Sequence, residues 1–240
     1  MSISRWSRWI RQPQTVPLRR MIYQIHLWLG LVLGLYVMVI SVSGSAVVFR
    51  RELTRWFLPK EGLQNVEYPL TLIVLEWFVD LHDNLLAGNI GRDLNGIGAI
   101  LFLIMVLTGA FVWWPGVRQW KQSLFVCHSQ HRLFSWHLHS VIGFWSLLFL
   151  LGWSVTGIYF IFPGPFEWFF DVFDKDLSDF KRPGEGLLLV LVDLHFGRFG
   201  GLGIRTLWVI FGLLPTVLFI TGVRIWWKRV QIKWCKSWDT

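Results

Sequence analysis

Seven histidines occur in the chain, and four of them stand in a fixed numerical relation. His139 follows His26 by 113 positions, and His195 follows His82 by the same 113. The second pair closes two identical tetrapeptides, Val79-Asp80-Leu81-His82 and Val192-Asp193-Leu194-His195. Neutral imidazole is a good axial ligand for haem iron, and two imidazoles on one iron leave no open position, which favours electron transfer over oxygen chemistry. A single histidine near a helix end is more often a hydrogen-bonded interfacial residue. It is the pairing of these four that points to ligation.

The offset extends well beyond the histidines. Gly30 maps to Gly143, Ser43-Gly44 to Thr156-Gly157, Gly88 to Gly201, Arg92 to Arg205, Thr108-Gly109 to Thr221-Gly222, and Trp113-Trp114 to Trp226-Trp227. An ungapped offset over about a hundred residues, carried by rare Trp and His, reads as a tandem duplication with repeats at 1–118 and 119–240.

The elements that must position these residues follow from composition. Apolar residues make up 54% of the chain, with 17 Trp and 20 Phe, which is membrane-protein usage. Four stretches are long enough to cross a hydrocarbon core of about 30 Å, which needs roughly 20 helical residues. They lie near 22–49, 96–114, 136–162 and 203–227. The expected fold is an all-α membrane protein, a four-helix bundle built from two two-helix repeats. An Arg-rich start followed by an apolar run also suits a secretory signal, but this run is too long for one and is read as the first span.

Charge sets the expected orientation. Arg5, Arg8, Arg11, Arg19 and Arg20, the loop residues Arg118, Lys121 and Arg132, and the tail residues Lys228, Arg229, Lys233 and Lys236 share their segments with one acid, Asp239. The other fourteen of the fifteen Asp and Glu fall between Glu52 and Asp193, in the two remaining loops. Both termini are therefore expected in the cytoplasm and the acidic loops outside. The net charge of +8 is read as this topology signal, with no nucleic-acid partner. Cys127 and Cys235 belong to no CxxC pair and fall on the side where thiols stay reduced.

Depth then pairs the histidines. His26 and His139 each sit near the cytoplasmic end of a span, and His82 and His195 each precede one on the outer side. From His82 to Gly109 would be about 40 Å of continuous helix, longer than the core. Each tetrapeptide is therefore expected in a short interfacial helix, broken from its span by the turns at Gly88–Gly91 and Gly197–Gly203. Gly30 and Gly143, one turn past their histidines, leave room for a flat porphyrin, or serve as packing notches, since Gly30 and Gly34 also form a small-xxx-small pattern. Arg92 and Arg205 suit haem propionates, with snorkelling to head groups as the alternative. The Trp pairs are read as interfacial belts. Without CxxCH, two haems would be non-covalent and b-type. His137 lacks a mate and points to a different side of its helix from His139, where a propionate or a donor protein is its expected contact. His128 and His131 also lack mates. Zinc fits less well, since structural zinc gathers four ligands.

The segment His26-Leu27-Trp28-Leu29-Gly30, the stretches LHDNLLAG, NGIGA and LTGAFVWWPG, the doublet WHLHSVIG and the late LHFGRFGGLG with its following TG and WW resemble the PepSY-associated transmembrane proteins, which include inner-membrane ferric-siderophore reductases. The resemblance covers nearly the whole chain. It implies a bacterial inner-membrane location and two b haems held by His26, His82, His139 and His195. It also implies electron flow from a cytoplasmic or quinone donor to a periplasmic acceptor, such as a ferric chelate or a redox protein. Family members usually carry a sizeable periplasmic PepSY domain between the first two helices, whereas about 25 residues separate Arg51 from Glu76 here. The alternative expectation is a non-redox membrane scaffold or assembly subunit. A transporter is disfavoured because the spans lack a carboxylate or Lys to couple ions.

Overall fold

A computed structural model describes residues 5–58, 69–116, 119–126, 134–173 and 183–238. Arg118, Cys127, His128, His131, Arg132 and Asp239 lie outside the described residues, as do the side chains of Arg5, Lys233, Cys235 and Lys236.

Among the described residues there are α-helices and short 3₁₀ turns and no strand. In chain order the α-helices are α1 (Arg5–Arg11), α2 (Pro17–Val47), α3 (Arg50–Phe57), α4 (Leu70–Asn84), α5 (Gly88–Trp113), α6 (Phe134–Ile161), α7 (Gly164–Phe173), α8 (Pro183–Phe196) and α9 (Leu202–Trp238). Four of them, α2, α5, α6 and α9, are long and apolar enough to cross a membrane, and the protein is a multi-pass membrane protein. Their outward residues are large and apolar, with Val32 74% and Leu148 79% exposed, as a hydrocarbon solvent requires. Helix α2 begins at Pro17 rather than near 22, because proline at the first helical position loses no hydrogen bond that a helix would use. Helix α9 runs on past Trp227 and contains Pro215, whose missing N–H a spanning helix tolerates.

Both tetrapeptides sit in separate short helices, α4 and α8. The first break differs from the expected glycine turn. Gly91 lies inside α5, and the chain reverses instead through Leu85 (φ 54°), Leu86 (φ 61°) and Gly88 (φ 58°). A left-handed leucine is unfavourable by roughly 1–2 kcal/mol, and the backbone groups around it are tied down. The Leu86 N–H donates to the Asp80 carbonyl, and Asn95 Nδ2 donates to the carbonyls of His82 (2.7 Å) and Asp83 (3.0 Å). In the second repeat Gly197 (φ 63°) turns the chain. There Trp208, 113 positions after Asn95, donates Nε1 to the Leu194 carbonyl at 2.9 Å. Two unlike side chains thus supply donors to the last carbonyls of equivalent helix ends.

The chain divides into two compact units, and each draws on both repeats. The first comprises Met1–Met38, Leu101–Leu151 and Leu214–Thr240; the second comprises Val39–Ile100 and Gly152–Leu213. In the first unit the Phe219 ring lies against Gly34, where a side chain would collide with it, and Trp113 stacks on Phe144 with ring centres 4.3 Å apart. The second unit packs through small residues. Ser41, Ser43 and Ser45 are buried, Ser41 Oγ donates to the Gly212 carbonyl at 2.5 Å, and Ser45 fills the space a side chain at Gly212 would need. Close backbone approach of this kind gives dispersion contact and interhelical hydrogen bonds, each about 0.6 kcal/mol on average in membrane proteins.

Candidate dihistidine centres

In the first unit α2 presents His26 and α6 presents His139, with ring centres 6.3 Å apart and ring planes at 76°. In the second unit α4 presents His82 and α8 presents His195, with centres 6.2 Å apart and planes at 55°. These spacings have a chemical reading. A metal–imidazole nitrogen bond is about 2.0 Å and the nitrogen lies about 1.1 Å from its ring centre, so two imidazoles on opposite sides of one metal ion stand about 6 Å apart. Both pairs meet that requirement.

The tautomer is set in the same way at all four rings. His26 Nδ1 donates to the Met105 carbonyl (3.0 Å), His139 Nδ1 to the Leu218 carbonyl (3.0 Å), and His82 Nδ1 to the Ile40 carbonyl (3.1 Å). A carbonyl only accepts, so the proton is on Nδ1 and the lone pair on Nε2. His195 Nδ1 meets Thr156 Oγ1 at 2.7 Å. That hydroxyl already donates within its own helix, to the carbonyls of Gly152 (2.8 Å) and Trp153 (3.2 Å), and therefore accepts from His195. Fixing one ring nitrogen so that the other binds is the usual outer arrangement around a ligating histidine.

These partners obey the 113 offset and were legible in the sequence only as repeat markers. Thr108, Thr221 and Ser43 stand beside the Nδ1 atoms of His26 (3.4 Å), His139 (3.0 Å) and His82 (3.4 Å), as Thr156 does beside that of His195. The glycine after each hydroxyl residue makes room for a ring at three of the four places. A Cβ at Gly44 would lie 2.7 Å from His82 Cε1, one at Gly109 2.9 Å from His26 Cε1, and one at Gly222 3.4 Å from His139 Cε1. Gly157 instead faces Ala99.

Around His26 and His139 lies a cavity of about 720 Å³, within the roughly 300–1,000 Å³ of cofactor pockets. Gly30 and Gly143 line it, and a Cβ on either would meet nothing closer than 3.8 Å. Its wall is otherwise mainly aliphatic and aromatic. Trp113 and Trp114, expected in an interfacial belt, line the cavity, whereas Trp226 and Trp227 do not. Arg19, Arg20 and Arg229, read from the sequence only as topology signals, also line it. His137 stays outside, half-exposed, edge-on to Trp136 at 5.2 Å.

The second centre is enclosed by aromatic and charged groups. Phe160 stands edge-on to His195 at 5.0 Å, and Trp153 Nε1 donates to the His195 carbonyl at 3.2 Å. Burial, then the neighbouring His82 and Arg198, push His195 down to about 3. Burial also lowers His82, with the Ile40 carbonyl and Asp83 opposing it. Both imidazoles are therefore neutral near pH 7, the form that ligates a metal. Arg92 and Arg205 sit in this unit but already have acidic partners. Arg92 meets Asp83 at 3.5 Å and donates to the Phe160 carbonyl at 3.2 Å, and Arg205 is bonded to Glu52.

Among the described residues no group of three or more His, Cys, Asp or Glu side chains is placed to hold a metal ion. Two imidazole nitrogens are also the donor set that a protein contributes to a haem iron with two histidine ligands. No curated protein and no solved structure matches the chain. The family model for the PepSY-associated TM region matches residues 23–73, 62–186 and 174–229, which include all four paired histidines. The chain belongs to the PepSY-associated TM region family.

Proposed function

We propose that the protein is a dihaem b-type electron carrier of the bacterial inner membrane. His26 and His139 hold one haem and His82 and His195 the other, and electrons pass from a cytoplasmic or quinone donor to a periplasmic acceptor, with ferric iron or a ferric chelate as the favoured acceptor. The observation that carries this reading is the pair of ring spacings, 6.3 and 6.2 Å, with the proton of each ring held on Nδ1.

When bound, each haem would supply one-electron redox chemistry, held by the paired histidines. The chain's own residues do the rest. The hydroxyl residues and helix carbonyls hold the four rings in a ligating tautomer, and Gly44, Gly109 and Gly222 admit the rings against the helix backbone. No side chain need move a proton during turnover. The distribution of basic and acidic residues supports termini in the cytoplasm and acidic loops in the periplasm.

The test is a dithionite-reduced minus oxidised absorbance spectrum of the purified protein with a pyridine haemochrome count. The expected result is a low-spin b-type spectrum with about two haems per chain. Protein that stays colourless after expression with ample haem would refute the proposal.

A further inference from the structure

Two buried donors in the first unit have no hydrogen-bond partner, and both line the same cavity: Arg19 Nε and Trp113 Nε1. A buried donor left unmade costs about 1–3 kcal/mol, so native structures rarely keep one without a use. The Arg19 guanidinium is held in place by its Nη2, which donates to the Val112 carbonyl at 2.8 Å. Arg20 and Arg229 line the cavity too, and Arg229 is bonded to the Tyr23 hydroxyl. No Asp or Glu is among the described residues that line it. Three arginines and an indole N–H on a mainly apolar wall form a site for anionic oxygen atoms carried by a large apolar body.

We infer that Arg19, with Arg20, Arg229 and the Trp113 indole, binds the carboxylates of the porphyrin held by His26 and His139. This rests on the haem reading above, and it gives the first centre a carboxylate site of its own, apart from the arginines that sequence spacing sets ten residues past His82 and His195. Those two, Arg92 and Arg205, belong to the second unit and already have Asp83 and Glu52. Arg19 precedes His26 by seven positions, two helical turns on one face of α2, or about 10 Å of rise. That is the order of the reach from a porphyrin's centre to its propionate ends. The sequence repeats the arrangement, with Arg132 seven positions before His139. A quinone does not fit as well, since its neutral carbonyls would leave the guanidinium charges uncompensated.

The experiment uses the chain carrying His82→Ala and His195→Ala, so that the first centre alone can load. Haem-free protein is titrated with ferric protoporphyrin IX and, separately, with its dimethyl ester, following the Soret band, and both titrations are repeated with Arg19→Gln. The diacid is expected to bind at least about tenfold more tightly than the diester, with both giving a low-spin spectrum, and Arg19→Gln is expected to close most of that gap. Equal affinity for the two porphyrins, or an unchanged gap in Arg19→Gln, overturns the inference and leaves histidine ligation standing. A failure of both porphyrins to give a low-spin spectrum refutes ligation by His26 and His139 instead. If the double variant does not fold, a redox titration of the otherwise unsubstituted holoprotein decides. Arg19→Gln should lower one of two midpoints and Arg19→Lys should restore it, whereas two unmoved midpoints overturn the inference.

Discussion

In the first unit His26 and His139 stand 6.3 Å apart against a cavity with three arginines and no acid among its described lining, while in the second His82 and His195 stand 6.2 Å apart beside arginines already joined to Asp83 and Glu52. The spacing of the rings, the engagement of Nδ1 and the hydroxyl neighbour are the same in both. The charges are not. The ring geometry is thus common to both units while the surrounding charges differ, which, on the proposed function, separates what would bind an iron from what would tune it. Geometry tolerates little variation because a metal–nitrogen bond is short and directional. Charge acts over several ångströms and can differ between the centres without disturbing either.

The strongest way to break this comparison is to remove a ligand from one centre at a time. His139→Ala and His195→Ala should each lower the pyridine haemochrome count from about two to about one per chain while leaving the other low-spin signal intact. Loss of both haems from either variant would mean that the centres do not load independently. The next effect comes from glycines at equivalent positions. Gly44→Ala puts a methyl 2.7 Å from the His82 ring and should weaken or abolish haem binding in the second unit, whereas Gly157→Ala, 3.6 Å from Ala99, should retain it. In the first unit Gly109→Ala (2.9 Å from His26) should do more harm than Gly222→Ala (3.4 Å from His139). Haem retention on size exclusion, read for the four variants side by side, checks the ranking.

The sequence made the pairing of the histidines far more legible than the charge. His26 with His139 and His82 with His195 could be paired by one offset and by depth, and the short helices α4 and α8 followed from length. The role of Ser43, Thr108, Thr156 and Thr221 was hidden, although all four were visible as repeat markers. Each serves a histidine 39 or 82 positions away, and no local pattern announces a contact made only when helices pack. The first chain reversal was misplaced for a different reason. Glycine at Gly88 and Gly91 advertises a turn, yet the left-handed positions extend to Leu85 and Leu86, held by Asn95 from the next helix. Arg19 was legible only as a positive charge near a membrane face, because its aim into a cavity depends on the carbonyl of Val112.

A smaller difference separates the two histidines of the second centre. His195 Nδ1 has Thr156 Oγ1 as its acceptor at 2.7 Å, while His82 Nδ1 has the Ile40 carbonyl at 3.1 Å and Ser43 only at 3.4 Å. Thr156→Val should therefore free the tautomer of His195 and speed haem loss to a scavenger by about tenfold or more, the range seen when such outer partners are removed. Ser43→Ala should change that rate much less. Equal effects would show that the hydroxyls act by packing alone.

The smallest effects should come from the arginines of the second unit, and they too should differ. The Arg92–Asp83 pair is nearly half exposed on both sides (47% and 45%), where an ion pair contributes about 1 kcal/mol or less. Arg205 and Glu52 are more enclosed, at 22% and 29%, and Glu52 Oε2 is buried without a partner. Removing Arg205 would leave a partly buried carboxylate without its cation, a larger penalty than the pair's own attraction. Arg205→Gln should therefore lower the thermal stability of the detergent-solubilised protein more than Arg92→Gln does, and Glu52→Gln combined with Arg205→Gln should recover part of the loss. If the double variant is no better than Arg205→Gln alone, the unpaired carboxylate is not the cause, and Arg205 matters through contacts of its own.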